Sequence, residues 1–433
     1  MRKLFFLTST IVALFVLVWF FAPPFFSLRY QQHVLGFFSP AKSEEHLFAV
    51  QSIDTMKYSR DISGQVLDNP AHFKLLVDKQ MALISGAGAT HVAIGTPYDA
   101  KFLPVLRLWV ASARAHHLSV WFRGNFSGWE GWFDYQKIDR DEHKRLLKHF
   151  LTSTPDLFIN GDVFTPCPEC ENGGTGDPRQ TGDVSGYNNF LIEEKSIADA
   201  AFALQHKIIT VYPSMNADIA KYVISDAVTR AFGGTVLIDH YVRTPEQFAS
   251  DIQAIPQKIN AQIGLGEIGA PIPDLNGDMT QAEQATYVDR LFAAMYMHSD
   301  VIPVVNYWVL SGGTTALVND DGSTRKVYEV LQNYFKAVDV HGTVRNSLGE
   351  NISTVTLKVK GGPLSVKTTS SYQIFIPRQY HEFSVEAEGY ASTSLVLPSG
   401  TTTMSLRHDF FLQPVHPSVW YKFMLFFNKL SKK

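Results

Sequence analysis

Cysteine is nearly absent from this sequence: the 433 residues contain two, Cys167 and Cys170, in the run Cys-Pro-Glu-Cys. Two thiols are too few for a zinc site, which needs about four ligands. Pro168 and the Gly-rich residues that follow indicate a loop rather than the helix start of a thioredoxin-type redox pair. We expect a small disulfide that staples this loop outside the cytosol, with unpaired thiols as the alternative.

Charged residues are also scarce, at 18% of the chain, and they nearly cancel to a net charge of −3. Globular proteins carry about 25%, so this chain can bury a large core. The near-neutral balance gives no indication of a nucleic-acid partner, and we expect none. The length predicts more than one domain.

Several signature motifs of enzymes are missing. No Gly-x-Gly-x-x-Gly or phosphate-loop pattern follows the first predicted strand, as a nucleotide-binding fold often requires. No Gly-x-Ser-x-Gly nucleophile elbow is present. The predicted strand ends offer no histidine cluster spaced for a metal and no lysine for a Schiff base. We therefore expect chemistry that uses neither a metal nor a cofactor.

One long uncharged run is present, the 18 residues from Leu4 to Phe21, preceded by Arg2 and Lys3. It is about long enough to span a bilayer, exceeds the ~7–15-residue core of a cleaved signal, and is followed by no good cleavage site. We expect residues 1–22 to be an uncleaved signal anchor, 23–46 to be a linker, and the rest to lie outside the cytoplasm. A cleaved signal, which would make the protein secreted, and a buried core helix are the alternatives.

Residues 47–338 alternate short apolar strands with amphipathic helices, eight of each. This alternation over about 290 residues predicts a (β/α)8 barrel of the TIM type. An open doubly wound sheet is the alternative. The predicted strands are Phe48–Ile53, His91–Gly95, Ser119–Arg123, Asp156–Asn160, Ile208–Tyr212, Val236–Asp239, Gln262–Gly266 and Ile302–Trp308.

Beyond the barrel the pattern changes. Residues 339–413 form short alternating runs rich in Val, Thr and Ser, typical of a small antiparallel β-sandwich. The runs Gly342–Val344, Thr356–Val359 and Phe383–Tyr390 resemble the carboxypeptidase regulatory-like domain, which implies an accessory sandwich. Residues 414–433 mix aromatics with lysines; this tail either lies on a bilayer surface or packs on the sandwich.

Candidate catalytic residues stand at the strand ends, where a parallel barrel collects its active site. Glu267 ends the seventh strand within Gly264–Gly269, and a buried carboxylate is costly unless it is paired or used. The other strand ends are polar or aromatic: Asp54, Tyr98, Asp99, Arg123, Asn125, Asn160, Asp162, Tyr212, Asn216, Asp239, His240, Tyr241, Asn306, Tyr307 and Trp308. Carboxylates, hydrogen-bonding groups and aromatic platforms are what glycosidic cleavage needs.

At these residues the chain resembles the clan A glycoside hydrolases over about residues 47–338. The resemblance rests on Glu267 after strand seven, His240–Tyr241 after strand six, Trp308 after strand eight and Arg123 after strand three. It implies a retaining glycosidase with a carbohydrate substrate and Glu267 as nucleophile. We expect a monomer whose substrate is contacted by Arg123, Asn160, Asp162, Glu171, Tyr212, His240, Tyr241 and Trp308. Alternatives are that Glu267 is a structural acid paired with Arg123 and that His240 only orients Glu267.

The chain departs from that clan at strand four, where the family has Asn-Glu and this sequence has Asn160-Gly161-Asp162. The general acid is then expected later in the same loop. We favour Glu169, because a Cys167–Cys170 staple would hold it in place. Glu171 and Asp162 are the alternatives. A chain without such an acid would be an inactive barrel, a membrane-tethered glycan-binding or cell-envelope protein.

Overall fold

The computed structural model describes residues 46–398 and 405–430. The strands are β1 Val50–Asp54, β2 His91–Ile94, β3 Ser119–Phe122, β4 Val163–Phe164, β5 Thr210–Val211, β6 Ser214–Asn216, β7 Thr235–Asp239, β8 Gln262–Ile268, β9 Val304–Tyr307, β10 Val338–Asn346, β11 Val355–Val359, β12 Ser365–Thr368, β13 Ser371–Ile376, β14 Glu382–Glu386, β15 Thr393–Val396, β16 Ser405–Arg407 and β17 Phe410–Leu412. The α-helices are α1 Met56–Asp61, α2 Ser63–Asp68, α3 Pro70–Gly86, α4 Leu103–Ala115, α5 Ser127–Glu130, α6 Arg140–Ser153, α7 Pro178–Thr181, α8 Val184–Leu204, α9 Ala217–Val223, α10 Asp226–Ala231, α11 Pro245–Ile259, α12 Pro273–Asn276, α13 Gln281–Met297, α14 Lys326–Phe335 and α15 Val419–Leu430.

The first nine strands form one parallel sheet in the order β5-β4-β3-β2-β1-β9-β8-β7-β6. Its two edge strands, β5 and β6, are halves of a single fifth strand that Pro213 divides, because proline has no N–H for the ladder. On one side the Tyr212 N–H donates to the Phe164 carbonyl, and on the other the Leu237 N–H donates to the Pro213 carbonyl. The sheet therefore curls into the predicted (β/α)8 barrel.

Local sequence signals set the helices around this barrel. Helices α3 and α11 each begin with a proline preceded by a capping residue, Asn69 and Thr244, whose side chains accept backbone N–H bonds. At the start of α13, Thr280 and Glu283 form a reciprocal capping box. Inside the barrel, one apolar cluster fills the space between strands: Val50, Ala93, Trp121, Val163, Tyr212, Leu237 and Val304.

The fourth strand lies later than the sequence pattern indicates. The predicted strand Asp156–Asn160 is wrong: Pro155–Leu157 is a 3-10 turn, and β4 begins at Val163. Leu157 and Phe158 are buried in the outer core instead, where the Phe158 ring packs 4.5 Å from that of Phe122, whereas Ile159 is exposed. An apolar run of three residues does not by itself distinguish a strand from a buried turn.

Two small sheets follow the barrel, with orders β13-β10-β16 (β17 also pairs with β10) and β12-β11-β14-β15. Rings from both sheets meet, with Phe383 of β14 5.8 Å from Phe410 of β17. The expectation of a purely antiparallel arrangement is wrong, because β10 pairs in parallel with β16 and β17. The resemblance to the carboxypeptidase regulatory-like domain stays a prediction.

The C-terminal tail is largely described by the structure, whereas the N-terminal segment is not. The predicted anchor at residues 1–22 and most of the linker lie outside the described residues. Within the described ranges, no helix is both long and apolar enough to cross a membrane. Helix α15 in the tail exposes 85% of Val419 and 68% of Trp420, while the Tyr421 hydroxyl lies 2.7 Å from Ser347 Oγ. Both predicted roles of the tail stay open.

Candidate active site

Glu267 is the sixth of the seven residues of β8 and is 7% exposed. Each of its two carboxylate oxygens accepts one hydrogen bond. Arg123 Nη2 donates to Oε1 over 3.1 Å, and the Tyr241 hydroxyl donates to Oε2 over 2.9 Å. Arg123 directly follows β3 and Tyr241 lies two residues after β7, so both donors come from strand ends. These bonds stabilise the charged form of the carboxylate.

Arg123 is the positive centre of this end of the barrel and is completely buried. Its guanidinium lies 3.3 Å from Asp239 Oδ2 and 3.7 Å from Asp54 Oδ2. It also donates to the Gly266 carbonyl. Burial opposes its charge, but Asp239, Glu267 and Asp54 together raise the pKa of Arg123 above its ordinary value. One guanidinium thus ties three strand ends together.

Glycine at position 266 is required by this packing. A Cβ there would overlap Oδ1 of Asp239 and lie 2.9 Å from Ser214 Oγ. The Gly266 carbonyl also accepts a 2.8 Å bond from Asn306 Nδ2, which donates equally to Asp54. Asp54 and Asp239 therefore support Arg123 and its partners.

Glu169 faces Glu267 across this end of the barrel. One carboxylate oxygen each from Glu169, Asp239 and Glu267 lies within 4.8 Å of the others. The Glu169 backbone has a left-handed φ of 43° and its N–H donates to the Ser214 carbonyl over 3.1 Å. Cys167 and Cys170 are joined as a disulfide, with Cα atoms 5.3 Å apart. The loop acid is thus fixed on both sides.

The two facing carboxylates titrate abnormally. Burial, and then the charge of Glu267, raise the pKa of Glu169 to about 8. Burial, and then the charge of Asp239, raise the pKa of Glu267 to about 8. Arg123 and Tyr241 stabilise the anion of Glu267, whereas Glu169 accepts one bond, from Asn172 Nδ2 over 3.0 Å. The donors therefore favour the charged form at Glu267 over the charged form at Glu169.

The other acid candidates are engaged elsewhere. Glu171 accepts bonds from the Asn216 backbone N–H over 2.7 Å and from the Tyr187 hydroxyl over 3.0 Å. Asp162 precedes β4, and its carboxylate accepts a hydrogen bond from the Val120 N–H over 2.8 Å. Asn160 is exposed beside it and accepts from the Ile208 N–H over 2.8 Å. Asn160 and Asp162 were expected beside the substrate because the fourth strand was predicted to end at Asn160. Because β4 begins at Val163 instead, both residues lie at the start of the strands, at the opposite end of the barrel from Glu267.

Of the aromatic and histidine candidates, Trp308 lies beside Glu267, whereas the side chains of Tyr212 and His240 point elsewhere. Trp308 is half-buried, and its ring lies 6.3 Å edge-on from that of Tyr241, beside Glu267. Tyr212 points into the barrel interior with its hydroxyl unpartnered among the described residues. The His240 backbone N–H donates to the Glu267 carbonyl, but its ring lies 3.1 Å from Asp251. His240 therefore supports β8 without facing the carboxylates.

The loop after β3 carries two tryptophans, Trp129 and Trp132, and only Trp132 is partly exposed. Trp129 is 1% exposed and stacks on Phe190 at 5.3 Å. Trp132 is half-buried, with the Arg60 guanidinium 4.9 Å from its ring. Burial raises the pKa of the adjacent Glu130 to about 7. Sequence reasoning missed Arg60 and Glu130, which follow no strand end directly.

Ser214 is the other missed residue. Its carbonyl anchors Glu169, and its hydroxyl lies 3.4 Å from Asp239 Oδ1. The signal was present in Pro213, which splits the fifth strand and moves its end from Tyr212 to Asn216.

The three clustered carboxylate oxygens are also spaced closely enough for one cation. The positive charge at that point is already supplied by Arg123, which bonds to Asp239 and Glu267. A second such group, His143, Cys167 and Glu194, includes a cysteine whose sulfur is in the disulfide. Neither set of residues calls for a metal.

Comparisons with known proteins give likenesses of fold. No protein-family model matches the sequence, and no curated protein does. A family 5 xyloglucanase from Paenibacillus pabuli is similar in structure with 13% identity and a TM-score of 0.44, over 60% of this chain and 89% of that chain. A broad-specificity endoglucanase from Bacteroides salanitronis has 15% identity and a TM-score of 0.42, over 60% and 85%. A beta-glucuronidase from Bacteroides uniformis has 11% identity and a TM-score of 0.43, over 78% and 44%. At such values, function has to be argued from this chain's own residues.

Proposed function

We propose that the chain is a retaining glycoside hydrolase in which Glu267 is the nucleophile and Glu169 the general acid/base. The observation that carries the proposal is the approach of their carboxylate oxygens to within 4.8 Å. Retaining enzymes separate the two carboxyl groups by about 5–5.5 Å, whereas inverting enzymes leave about 6.5–9.5 Å for a water molecule. The short separation favours direct attack by the carboxylate.

The unequal surroundings of the two acids suit this division of roles. In the first step Glu267 attacks the anomeric carbon while Glu169 protonates the departing oxygen, which leaves a glycosyl ester on Glu267. In the second step water attacks that carbon, Glu169 takes its proton, and the ester bond breaks to restore the Glu267 carboxylate. Arg123 and Tyr241 both favour the charged form of Glu267, which is the form that attacks.

Contacts with the sugar are proposed for the half-exposed groups around the two acids. The Trp308 ring and the Tyr241 ring meet edge-on beside Glu267, and aromatic faces of this kind pack against the apolar side of a sugar ring. Trp132, Arg60 and Glu130 form a second polar and aromatic group on the same rim. Glu130 is close enough to Glu169 to raise its pKa further.

The test is hydrolysis of a panel of aryl glycosides and polysaccharides by the wild type and three variants. Glu267→Gln should lose at least about a thousandfold in kcat, since it removes the attacking group. Glu171→Gln is the matched control: its neighbours bind the side chain away from Glu267, so activity should stay within about tenfold.

Glu169→Ala separates the two catalytic roles. Because activated substrates need little protonation of the leaving oxygen, this variant should still form the glycosyl ester but hydrolyse it slowly. Azide should then accelerate turnover by attacking the ester in the space that Glu169 leaves, giving a glycosyl azide of retained configuration. Wild-type inactivity on the whole panel, with polysaccharide binding retained, would favour the glycan-binding alternative instead.

A location outside the cytoplasm is proposed as well. The Cys167–Cys170 disulfide supports it, because disulfides persist in oxidising compartments. The uncharged run Leu4–Phe21 supports attachment to a membrane. Fractionation of cells that express the full chain, followed by protease treatment of intact cells, checks both: the barrel should be membrane-bound and cleavable from outside.

A further inference from the structure

We propose that three buried side chains, Glu194, His143 and Asn125, form a positioning relay that holds Glu169 through the Cys167–Cys170 disulfide. The inference rests on the proposed function, since it assigns residues that place the acid/base. All three side chains are at most 1% exposed. They lie behind the loop, away from Glu267, where no substrate reaches them.

Asn125 fixes the direction of the relay. Its Oδ1 accepts the Phe126 N–H over 2.8 Å, and a backbone N–H can only donate, so this atom is the oxygen. His143 Nε2 lies 2.7 Å from the same oxygen and must therefore carry a proton. The amide nitrogen is then turned toward Cys167, 3.7 Å from its sulfur.

Glu194 contacts the other ring nitrogen of the imidazole. His143 Nδ1 lies 2.5 Å from Glu194 Oε1, inside the packing of α6 against α8. This contact fixes the plane of the ring and so the direction in which Nε2 points. Trp129 packs edge-on against the same ring at 4.8 Å and closes it from solvent.

The disulfide restrains the backbone on both sides of Glu169. Cys167 is held by Asn125 and is bonded to Cys170, so the two intervening residues span fixed points. Pro168 pairs with Ser214, and the Glu169 N–H donates to the Ser214 carbonyl. With both ends fixed, the left-handed Glu169 backbone aims its side chain at Glu267. General acid catalysis depends on such placement to within about an ångström.

The experiment compares His143→Leu, which removes the donor to Asn125, with His143→Gln, whose amide nitrogen can replace Nε2. Each is assayed on aryl glycosides whose leaving groups differ in pKa. Protonation matters only when the leaving oxygen needs it, so His143→Leu should lose about 10–100-fold in kcat/KM on poor leaving groups and less than about threefold on activated ones. His143→Gln should recover most of the loss.

His91→Gln is the control. His91 is buried between Thr90 and the Gly161 carbonyl, at the opposite end of the barrel. Its substitution should lower stability while leaving the dependence on the leaving group unchanged. A loss in His143→Leu that is equal for all leaving groups would overturn the relay, because a general loss of structure slows every substrate alike.

A measurement that needs no activity separates this inference from the proposed function. Cys167 and Cys170 are 2% and 1% exposed, so dithiothreitol should reduce their disulfide slowly in the folded wild type and at least about tenfold faster in His143→Leu and Glu194→Gln. Equal rates in native buffer would overturn the relay even if the wild type hydrolyses glycosides. If the two variants are reduced faster than the wild type but the wild type has no hydrolase activity, the relay is retained and the proposed function is rejected.

Discussion

The half-buried Glu169 lies beside the buried Glu267, yet the proposed chemistry needs one protonated and the other charged. Burial raises the pKa of each to about 8, so burial alone does not assign the roles. The assignment comes from the donors: Glu267 accepts from Arg123 and Tyr241, both of which stabilise only its anion. With that arrangement, activity should fall above about pH 8 as Glu169 loses its proton.

The mutual influence of the two acids is directly measurable. Glu267→Gln removes a negative charge that raises the pKa of Glu169, so the pKa of Glu169 should fall below about 8, toward the value that burial alone sets. Titration of the side-chain carboxyl carbons by NMR checks this shift. Glu193→Gln, a change on the exposed face of α8, should leave the titration unchanged. An unaltered pKa in Glu267→Gln would mean that the two carboxylates do not interact.

The same raised pKa predicts a stability cost at the site. Because folded Glu169 holds its proton more tightly than the unfolded chain does, it stabilises the fold at low pH and loses that contribution as pH rises from about 4.5 to about 8. Glu169→Gln lacks the titrating group, so its free energy of unfolding should exceed that of the wild type increasingly across this range. Urea denaturation at pH 5, 7 and 9 measures the difference, and a constant difference would contradict the prediction.

At the scale of elements, β8 shows why its glycines matter as much as its carboxylate. Gly266 lets the Asp239 carboxylate and Ser214 lie against the strand, and its carbonyl accepts from Arg123 and Asn306. The glycine spacing was visible in the sequence, but its purpose was not. The neighbours that crowd Gly266 come from β6 and β7, which are distant along the chain.

Gly266→Ala should therefore damage both stability and activity. The added Cβ overlaps Asp239 Oδ1, which displaces a group paired with the buried Arg123 and should cost about 2–4 kcal/mol in the free energy of unfolding. Gly64→Ala in α2 is the control, because a Cβ there meets nothing within 4 Å; it should be neutral or stabilising. Thermal unfolding and kcat/KM are measured for both, and a Gly266→Ala protein of wild-type stability would refute the crowding.

For the whole molecule, the barrel and the two small sheets share an interface. The Tyr296 hydroxyl of α13 donates to the Phe375 carbonyl of β13, and Gln379 Nε2 donates to Asp289 Oδ1 over 3.0 Å. The Arg378 N–H donates to the Asn333 carbonyl over 3.0 Å. The two small sheets are thus docked on α13 and α14, at the side of the barrel rather than over its active-site end.

This docking predicts a single cooperative unfolding transition in which both regions take part. Tyr296→Phe removes the hydrogen bond from the Tyr296 hydroxyl to the Phe375 carbonyl and should lower the free energy of unfolding by about 0.5–1.5 kcal/mol while leaving KM unchanged. Tyr222→Phe, at a tyrosine that is 62% exposed, should have no effect. Denaturant unfolding followed by fluorescence and by far-UV circular dichroism checks both; two separate transitions would show that the regions fold independently.

Alternating apolar runs are a local signal, so the sequence alone predicted the barrel and the strand-end positions of Glu267, Arg123 and Tyr241. It failed at strand four, where Leu157 and Phe158 pack in the outer core instead of pairing in the sheet. It also left three acids open, and the choice among them depended on contacts distant along the chain. The Ser214 carbonyl and the disulfide direct Glu169 toward Glu267, while Asn216 and Tyr187 bind Glu171 elsewhere. A loop conformation is decided by what the fold packs against it, and neighbouring residues in sequence carry no record of that packing.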